Sequence, residues 1–201
     1  MDSETNERPK LTPKGARTRA RIVEAAAALI HKRGVAATTL DDVKVAAEVS
    51  GSQMYHYFPD KNELVQAVID YQAETIVNHQ GRVLSSANGV EAWRNMVITA
   101  AKHTKAIGGC PLGSLGGQLA ESDPEARALI AAGFDQWAAV IGDALGSLHA
   151  DGKIPSDVDP DDLAITLLAT LQGGLLLAQV QRSIRPFEIA VNTVLDLAVG
   201  R

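Results

Sequence analysis

The 201-residue sequence is poor in cysteine and in aromatic residues, with one Cys, two Trp, three Tyr and three Phe. Because Cys110 is alone, the chain can form neither an intrachain disulfide nor a cysteine-rich zinc site, which favours a reducing compartment. No apolar secretion signal follows Met1, so we expect the protein in the cytoplasm. The five histidines lack metal-ligand spacing, and phosphate loops, nucleophile elbows and paired acids are missing. We therefore expect no metal, no cofactor and no enzymatic activity.

The sequence also lacks segments in which apolar and polar residues alternate, so it predicts no strands. Apolar residues recur instead at helical spacing, and Ser, Thr, Asp, Pro and Gly stand where helices begin or end. The pattern predicts an all-α fold of about nine helices. Their approximate positions are 17–33, 39–46, 50–58, 60–80, 90–107, a short helix within 108–126, 123–151 after a Ser122 or Asp123 cap, 163–181, and 186 onward.

Charge is distributed unevenly along the chain, whose formal net charge is −5. Residues 1–61 hold ten Lys and Arg against eight Asp and Glu, whereas residues 62–201 hold nine against sixteen. Between positions 8 and 33, eight basic residues face a single acid, Glu24. This basic front on an acidic body indicates a polyanionic partner for the N-terminal third, although a merely solubilising charged tail would look the same.

A run of nineteen residues, 163–181, contains no charged side chain. It is long enough to cross a membrane, but Thr166, Thr170 and Gln172 would each need a hydrogen-bond partner in lipid. We therefore expect no membrane association. A helix that is apolar nearly all round in a soluble protein is covered on both sides, here by its own domain and by a second subunit. We expect the helix after Pro186 to join this interface through Ile189, Val191, Val194 and Leu195.

The stretch VSGSQMYHYFPDK, residues 49–61, concentrates three of the eight aromatics. It follows a short helix and a turn of about four residues, which is the arrangement of a helix-turn-helix whose second helix enters the DNA major groove. Val49, Met54 and Phe58 share one side and are expected to pack inward. Small and polar side chains share the other side, as the width of the groove requires.

We predict that Ser52, Gln53 and His56 read base edges, and that Tyr55 and Tyr57 lie against the sugar-phosphate backbone. For the two tyrosines the alternative is a purely structural role in the core of a small three-helix domain. Arg17, Arg19 and Lys61 are expected to neutralise phosphates. The full predicted DNA-binding set is Arg17, Arg19, Thr38, Thr39, Ser50, Ser52, Gln53, Tyr55, His56, Tyr57 and Lys61.

The run TTLDDVKVAAEVSGSQMYHYFPDKNELVQAVI resembles the DNA-binding domain of the tetracycline-repressor (TetR) family of bacterial transcriptional regulators. The matching positions are Thr38, Thr39, Val49, Ser50, Tyr55, Phe58 and Lys61. Three positions depart from the family pattern: Lys44 and Ser52 replace smaller residues, and Glu48 replaces the glycine of the turn. A non-glycine residue at position 48 must accept the backbone of that turn or alter it.

The segment GGCPLGSLGGQLAESDPEAR is similar to the LmrA/YxaF-like branch of the same family, which implies a C-terminal domain that responds to a small molecule. We expect a mainly apolar cavity with a few polar anchors, although Trp93, Phe134 and Trp137 could equally be ordinary core. His103 is a further candidate anchor, and Cys110 could sense electrophiles or simply be buried. The predicted lining is Trp93, Met96, Val97, Cys110, Leu115, Gln118, Phe134, Trp137, Gln172 and Leu176.

Residues 1–13 are polar, contain two prolines and show no periodicity, so we expect a flexible arm there. The resemblance implies a helix-turn-helix DNA-binding domain over 14–61 and a ligand-binding and dimerisation domain over 62–201. It implies a homodimeric repressor released from a palindromic double-stranded DNA operator by an unidentified small-molecule effector. The alternative is an all-α small-molecule-binding or enzymatic domain without specific DNA binding.

Overall fold

The computed structural model describes residues 11–86 and 88–198. The predicted arm over residues 1–13 therefore lies largely outside the described residues. Within them the chain forms nine α-helices and no strand, which confirms the all-α prediction. The helices are α1 Pro13–Arg33, α2 Leu40–Ala46, α3 Gly51–Tyr57, α4 Lys61–Leu84, α5 Gly89–Thr104, α6 Pro111–Leu119, α7 Pro124–Ala150, α8 Pro160–Gln181 and α9 Arg185–Ala198.

Helix α1 begins about one turn earlier than the apolar periodicity suggested. The Thr12 hydroxyl accepts a hydrogen bond from the amide of Gly15, and Pro13 occupies the first turn, where its missing N–H costs nothing. The buried face of α1, including Ile22, Ala26 and Ile30, packs on α2 and α4. Capping chemistry at residue 12 thus extends the helix beyond its apolar stripe.

The turn between α2 and α3 holds four residues, 47–50, as the sequence predicted. Glu48, at the usual glycine position, adopts a left-handed backbone with φ of 52°. Side chains at such angles are strained, so the glutamate keeps the turn geometry at an energetic cost. Met54 and Phe58 are each 1% exposed and fix α3 against the other N-terminal helices.

Helix α4 connects the N-terminal helices with the C-terminal helices. It packs on α1 and also on α5, α6 and α7. Asp123 precedes α7, and its carboxylate accepts hydrogen bonds from the amides of Glu125 and Ala126, so Asp123 rather than Ser122 is the cap. Gly133 on α7 allows a close approach, because a Cβ there would stand 2.9 Å from the Cβ of Ala73 on α4.

Helices α8 and α9 pack together and against α7 and α5. The prediction that Val191 and Leu195 face outward was wrong, since both are fully buried against the chain's own helices. Val191 and Leu195 point inward because they lie on the same side of α9 as Phe187, which is 1% exposed. The apolar side chains that do face outward on the two helices are Ile165, Leu176, Leu177, Val180, Ile189 and Leu197.

Two described helices, α7 and α8, are long and apolar enough to cross a membrane by length and composition alone, with mean hydropathies of 1.2 and 1.8. Only a third of the most apolar window of each is buried within the chain. For α8 the remainder includes the outward-facing leucines and valine named above. The chain therefore leaves an apolar surface on α8 that its own helices do not cover.

Candidate DNA-binding surface and ligand cavity

Helix α3 presents a polar, exposed face. Ser52, Gln53, Tyr55 and His56 are all exposed, and the Tyr55 side chain is 55% exposed. The opposite side of the helix carries the buried Met54. A short helix that is anchored on one side and polar on the other has the form required of an element that enters the major groove.

A capping box defines the start of α3 and uses two of the predicted DNA-contacting residues. The Ser50 hydroxyl accepts from the amide of Gln53 at 3.2 Å, and Gln53 Oε1 accepts from the amide of Ser50 at 3.0 Å. The Ser50 and Ser52 hydroxyl oxygens lie 3.0 Å apart. The box engages the oxygen of the Gln53 carboxamide and holds the side chain close to the N-terminus of α3.

Two residues predicted to contact DNA, Thr38 and Tyr57, do not belong to this exposed face. Thr38 is 2% exposed and its hydroxyl donates to the carbonyl of Gly34 at 2.8 Å, so it ties the end of α1 to the next segment and is not available to DNA. Tyr57 is half-buried against the core, and its hydroxyl lies beside Gly15, where a Cβ would stand 3.2 Å away. The ring of Tyr57 also meets the imidazole of His56 edge-on, with centroids 4.9 Å apart. The structural alternative therefore fits Tyr57, whereas Tyr55 points to solvent.

The three predicted phosphate-binding cations lie on α1 and at the start of α4. Arg17 is exposed, while the guanidinium of Arg19 sits 5.1 Å from the centroid of the Phe58 ring. Lys61 is half-buried and its ammonium lies 3.4 Å from the carbonyl oxygen of Ala36. Stacking on an aromatic ring keeps Arg19 oriented while its charge remains accessible.

Helix α2 is fixed by charged contacts at both ends. Thr39 caps it by accepting from the amide of Asp42, and the carboxylate of Asp42 accepts from the Thr39 hydroxyl at 2.6 Å and pairs with Arg33 on α1 at 2.6 Å. These bonds, led by the Thr39 hydroxyl, lower the pKa of Asp42. The Lys44 ammonium pairs with Asp41, which raises the lysine pKa. Lys44, which departs from the family pattern, is thus accommodated by a partner on its own helix.

An apolar cavity of about 270 Å³ lies among α4, α5, α7, α8, α9 and the segment that leads into α6, and His31 of α1 also contributes to its wall. Its lining contains no Asp, Glu, Lys or Arg among the described residues. The lining residues are His31, Ile76, Gln80, Val97, Ala100, Ala101, Thr104, Ile107, Gly109, Cys110, Pro111, Trp137, Leu171, Leu175 and Phe187.

Gln80 on α4 organises the polar side of the cavity. Its Oε1 accepts hydrogen bonds from the indole N–H of Trp93 at 2.6 Å and from that of Trp137 at 2.8 Å. Both indoles are buried, and Phe134 stacks on Trp137 with centroids 6.4 Å apart. One carboxamide oxygen therefore satisfies both buried indole donors, as buried polar groups require.

The predicted lining is only partly brought together. Val97, Cys110 and Trp137 line the main cavity, and Gln172 and Leu176 line a recess that shares Gly109 and Cys110 with it. The other five predicted residues line neither space: Trp93 and Leu115 are buried in the core, Met96 and Phe134 pack against that core, and Gln118 points to α1. His103 is exposed and is not an anchor.

Cys110 is 8% exposed and caps α6, with its sulfur 3.4 Å from the amide of Gly113. Burial raises the pKa of its thiol. A protonated, buried thiol is a poor nucleophile, so the placement favours the structural alternative over electrophile sensing. In the adjoining recess, the amide nitrogen Nε2 of Gln172 is buried without a hydrogen-bond partner among the described residues.

Two contacts join the C-terminal end of α1 to the segment around α6. Gln118 Oε1 accepts from the amide of Val35 at 2.8 Å, and the ring of His31 lies against Gly108, where a Cβ would stand 2.2 Å from Nε2. Sequence reasoning missed His31 and Gln80 as cavity residues. Each lies in a helix whose apolar stripe gave no reason to single out one polar position, and their meeting depends on the packing of distant helices.

Comparison with known proteins agrees with both halves of this geometry. Residues 22–68 match the family described as "Bacterial regulatory proteins, tetR family", and residues 87–194 match "Tetracyclin repressor-like, C-terminal domain". An uncharacterized HTH-type transcriptional regulator of Mycobacterium tuberculosis is 28% identical over 199 residues, covering 90% of this chain and 94% of that protein. The uncharacterized HTH-type regulator YxaF of Bacillus subtilis is 25% identical, covering 88% and 93%.

A solved TetR transcriptional regulator from Chloroflexus aurantiacus superposes with a TM-score of 0.78 at 28% identity, covering 91% of this chain and 94% of that one. The C-terminal match alone spans more than half of the sequence, and the similarity to YxaF agrees with the branch that the glycine-rich segment indicated. With a helix-turn-helix at one end and the matching helical domain at the other, the chain belongs to the tetracycline-repressor (TetR) family of bacterial transcriptional regulators.

Proposed function

We propose that the protein is a homodimeric repressor in which residues 14–61 bind a palindromic operator and residues 62–201 bind a small, largely apolar effector that releases the DNA. The observation that carries this proposal is the course of α4. It begins at Lys61, beside the recognition helix, and contributes Ile76 and Gln80 to the wall of the cavity. A single helix thus contacts both candidate sites, so a ligand that displaces its middle also moves its DNA-proximal end.

On the DNA side, we assign base reading to Ser52, Gln53 and His56, with Tyr55 against the backbone. Gln53→Glu provides a sharp test, because glutamate can keep the capping box while losing the amide donor. We expect operator affinity to fall by about 1–3 kcal/mol with little change in thermal stability, together with relaxed preference at one symmetric pair of base positions. An equal loss on random DNA in competition gel shifts would contradict base reading.

Phosphate binding is assigned to Arg17, Arg19 and Lys61, with Thr39 and Ser50 near the helix starts that face the DNA. Each lost phosphate contact should lower the slope of log affinity against log salt by about one and weaken all sequences alike. We would compare Lys61→Ala with Lys153→Ala, whose exposed ammonium pairs with Asp151 in the other half of the chain. An unchanged slope for Lys61→Ala would limit that residue to its contact with Ala36.

The outward apolar side chains of α8 and α9 support the proposed dimer interface. An isologous pairing of these helices would bury them and set two recognition helices about 34 Å apart, one turn of DNA. Val180→Asp should give a monomer in analytical ultracentrifugation. Val45→Asp on α2 is a matched control, since both valines are 73% exposed, and it should remain dimeric. A wild-type protein that is monomeric at micromolar concentration would remove the basis for this assembly.

Effector release is supported by the charge-free cavity. Coupling is reciprocal, so a compound that weakens operator binding must itself bind the operator complex less tightly by the same factor, typically 1–3 kcal/mol. Ala100 lines the cavity, and Ala100→Phe should fill it, abolishing induction while DNA binding persists. A compound that binds the free and operator-bound forms equally is not the inducer.

The competing proposal, a small-molecule-binding or enzymatic domain without specific DNA binding, predicts a different gel shift. A repressor acting in the cytoplasm should bind the DNA upstream of its own gene at nanomolar concentration and resist competition by random DNA. A gel shift that is abolished by adding an equal mass of random DNA would favour the competing proposal.

A further inference from the structure

The segment between α5 and α6 has an unusual backbone. Lys105, Ala106, Gly108 and Gly109 have positive φ angles of 53°, 52°, 82° and 63°. A left-handed backbone is costly for lysine and alanine, and residues with such angles persist only where the surrounding structure holds them. They are typical of ligand clamps and switch segments. Residues 105–109, which we call the strained segment, are therefore a candidate for the part of the fold that changes conformation when a molecule binds.

The strained segment is also part of the cavity wall. Ile107, Gly109 and Cys110 line the cavity, and every other described lining residue lies in a helix. Ile107 is 61% exposed, so a bound molecule can touch its side chain. Regular hydrogen bonds hold the backbone of the helical part of the wall. The strained segment is therefore the part of the wall that a bound molecule displaces at the lowest cost.

His31 of α1 rests directly on the strained segment. At Gly108 a Cβ would stand 2.2 Å from Nε2, 2.4 Å from Cε1 and 3.0 Å from Cδ2 of the imidazole. Atoms in favourable contact are about 3.5–4.0 Å apart, so there is no room for a methyl group at position 108. A shift of Gly108 toward the ring must therefore move the ring or the last turn of α1, in which His31 lies.

An ion pair links the last turn of α1 to the helix-turn-helix. Arg33 follows His31 by two residues and pairs with Asp42 of α2 at 2.6 Å. The same carboxylate accepts hydrogen bonds from the amide and the hydroxyl of Thr39 in the capping box of α2. Helix α2 in turn packs on α3. A displacement of the last turn of α1 would therefore act on the start of α2 and on the orientation of α3.

We propose that the contact between Gly108 and His31 couples the cavity to the DNA-binding half. An effector displaces the strained segment, Gly108 pushes the imidazole, and the last turn of α1 moves α2 and α3 out of the geometry that fits the operator. The inference rests on the proposed function, in which this cavity is the effector site. It adds a second route beside α4, and it makes His31 a positioning residue for the recognition helix.

A methyl group at position 108 should act as a substitute for the effector. With no small molecule added, we expect Gly108→Ala to bind the DNA upstream of its own gene about tenfold more weakly than wild type in fluorescence-anisotropy titrations at one fixed salt concentration. His31→Ala makes room for that methyl group, so Gly108→Ala/His31→Ala should bind at least about fivefold more tightly than Gly108→Ala alone. The double-mutant cycle separates the coupling between the two positions from their individual effects.

Two alanine variants serve as matched controls. Gly152 has a φ of 69°, and a Cβ there meets no atom within 4 Å, so Gly152→Ala adds backbone strain without a clash. At Gly113 on α6 a Cβ would stand 2.3 Å from Oε1 of Gln172 on α8, so Gly113→Ala adds a clash that does not involve α1. Both should bind the operator within about twofold of wild type, at a temperature at which thermal melts show every variant folded.

A further variant tests the same contact from the α1 side and leaves the backbone at Gly108 unchanged. His31→Trp places a larger ring against Gly108 and should also weaken operator binding about tenfold. The test therefore still decides if Gly108→Ala does not fold.

Wild-type affinity of Gly108→Ala or His31→Trp, an equal loss in Gly113→Ala, or no recovery in the double variant would each overturn the inference. The proposed function would stand in each of these cases, because the wild-type protein still binds the operator. If the wild-type protein does not bind the operator, the proposed function fails and the inference fails with it.

Discussion

The bond between Gln118 and Val35 offers a local test of how the two halves of the chain are joined. Gln118 Oε1 accepts from the Val35 amide at 2.8 Å, while its Nε2 donates to the carbonyl and hydroxyl oxygens of Ser114 at 3.1 and 3.2 Å. The carboxamide is thereby oriented by its own helix and presented to the residue that follows the end of α1. Gln118→Ala removes the acceptor and leaves the Val35 amide without it.

The size of the effect follows from the environment of the bond. A neutral hydrogen bond contributes about 1 kcal/mol net, and because this one is only partly buried, water can replace some of what is lost. We therefore expect a local destabilisation of about 1 kcal/mol, which corresponds to roughly fivefold faster opening. Hydrogen exchange followed by NMR should show the Val35 amide exchanging about fivefold faster in Gln118→Ala, with the interior amides of α7 unchanged.

Two further variants separate the acceptor from the rest of the side chain. Gln118→Glu keeps an oxygen for Val35 and loses the donor to Ser114, so Val35 should stay protected. Ser114→Ala keeps the Val35 bond and removes only the hydroxyl, and it should also leave Val35 protected. If Val35 exchanges at the wild-type rate in Gln118→Ala, the carboxamide does not hold the end of α1 in solution and the argument fails.

Three more predictions concern packing, backbone strain and thiol reactivity. Gly133→Ala should lower the free energy of unfolding by about 1–3 kcal/mol in urea denaturation, because its Cβ would stand 2.9 Å from that of Ala73. Gly146→Ala on the same helix meets no atom within 4 Å and should be neutral or stabilising by up to about 1 kcal/mol. Equal effects of the two substitutions would contradict the packing argument. Glu48→Val should lower the melting temperature, since a β-branched residue tolerates a φ of 52° worse than glutamate, and Glu48→Gly should not lower it. Cys110, whose pKa is raised by burial, should react with N-ethylmaleimide at neutral pH far more slowly in folded than in urea-unfolded protein, and a folded rate equal to that of a free thiol would refute its burial. Because the folded state holds that proton more tightly, the stabilising contribution is present at neutral pH and is lost as the pH rises above the pKa of the unfolded thiol.

The helices themselves were predictable because capping residues and apolar spacing act locally. Asp123, Pro186 and Gly34 mark boundaries from within a few residues. Helix α8 begins at Pro160, three residues before the charge-free run by which it was predicted. Helix α5 was predicted to reach Ile107 but ends at Thr104, where Lys105 and Ala106 take left-handed angles. Apolar periodicity continues past the end of that helix to Ile107, which lines the cavity but is 61% exposed. Helical spacing of apolar residues therefore predicted neither helix nor full burial at that position.

The polar face of α3 could be predicted from the sequence better than the cavity wall, because local patterns carry no information on how distant helices pack. The polar face of α3 follows from spacing along one short helix, whereas the cavity wall is assembled from seven helices and the loop before α6. Gln118 looked like a polar anchor because it lies on α6, yet its side chain turns to Val35, more than eighty residues away in sequence. Thr38 was predicted to contact DNA and matches the family pattern together with Thr39, but it is 2% exposed and its hydroxyl closes the preceding turn. Such long-range pairings have no signature in local pattern.

The shared acceptor on Gln80 has a spectroscopic consequence. The chain contains two tryptophans, and both indole N–H groups bond to the same carboxamide oxygen at the edge of the cavity. All tryptophan emission of the protein therefore comes from two indoles that bond to the same oxygen, and no other tryptophan contributes to the signal. A change in wavelength or intensity on adding a compound would report events at that oxygen, and the native protein carries its own optical probe of the cavity without any label.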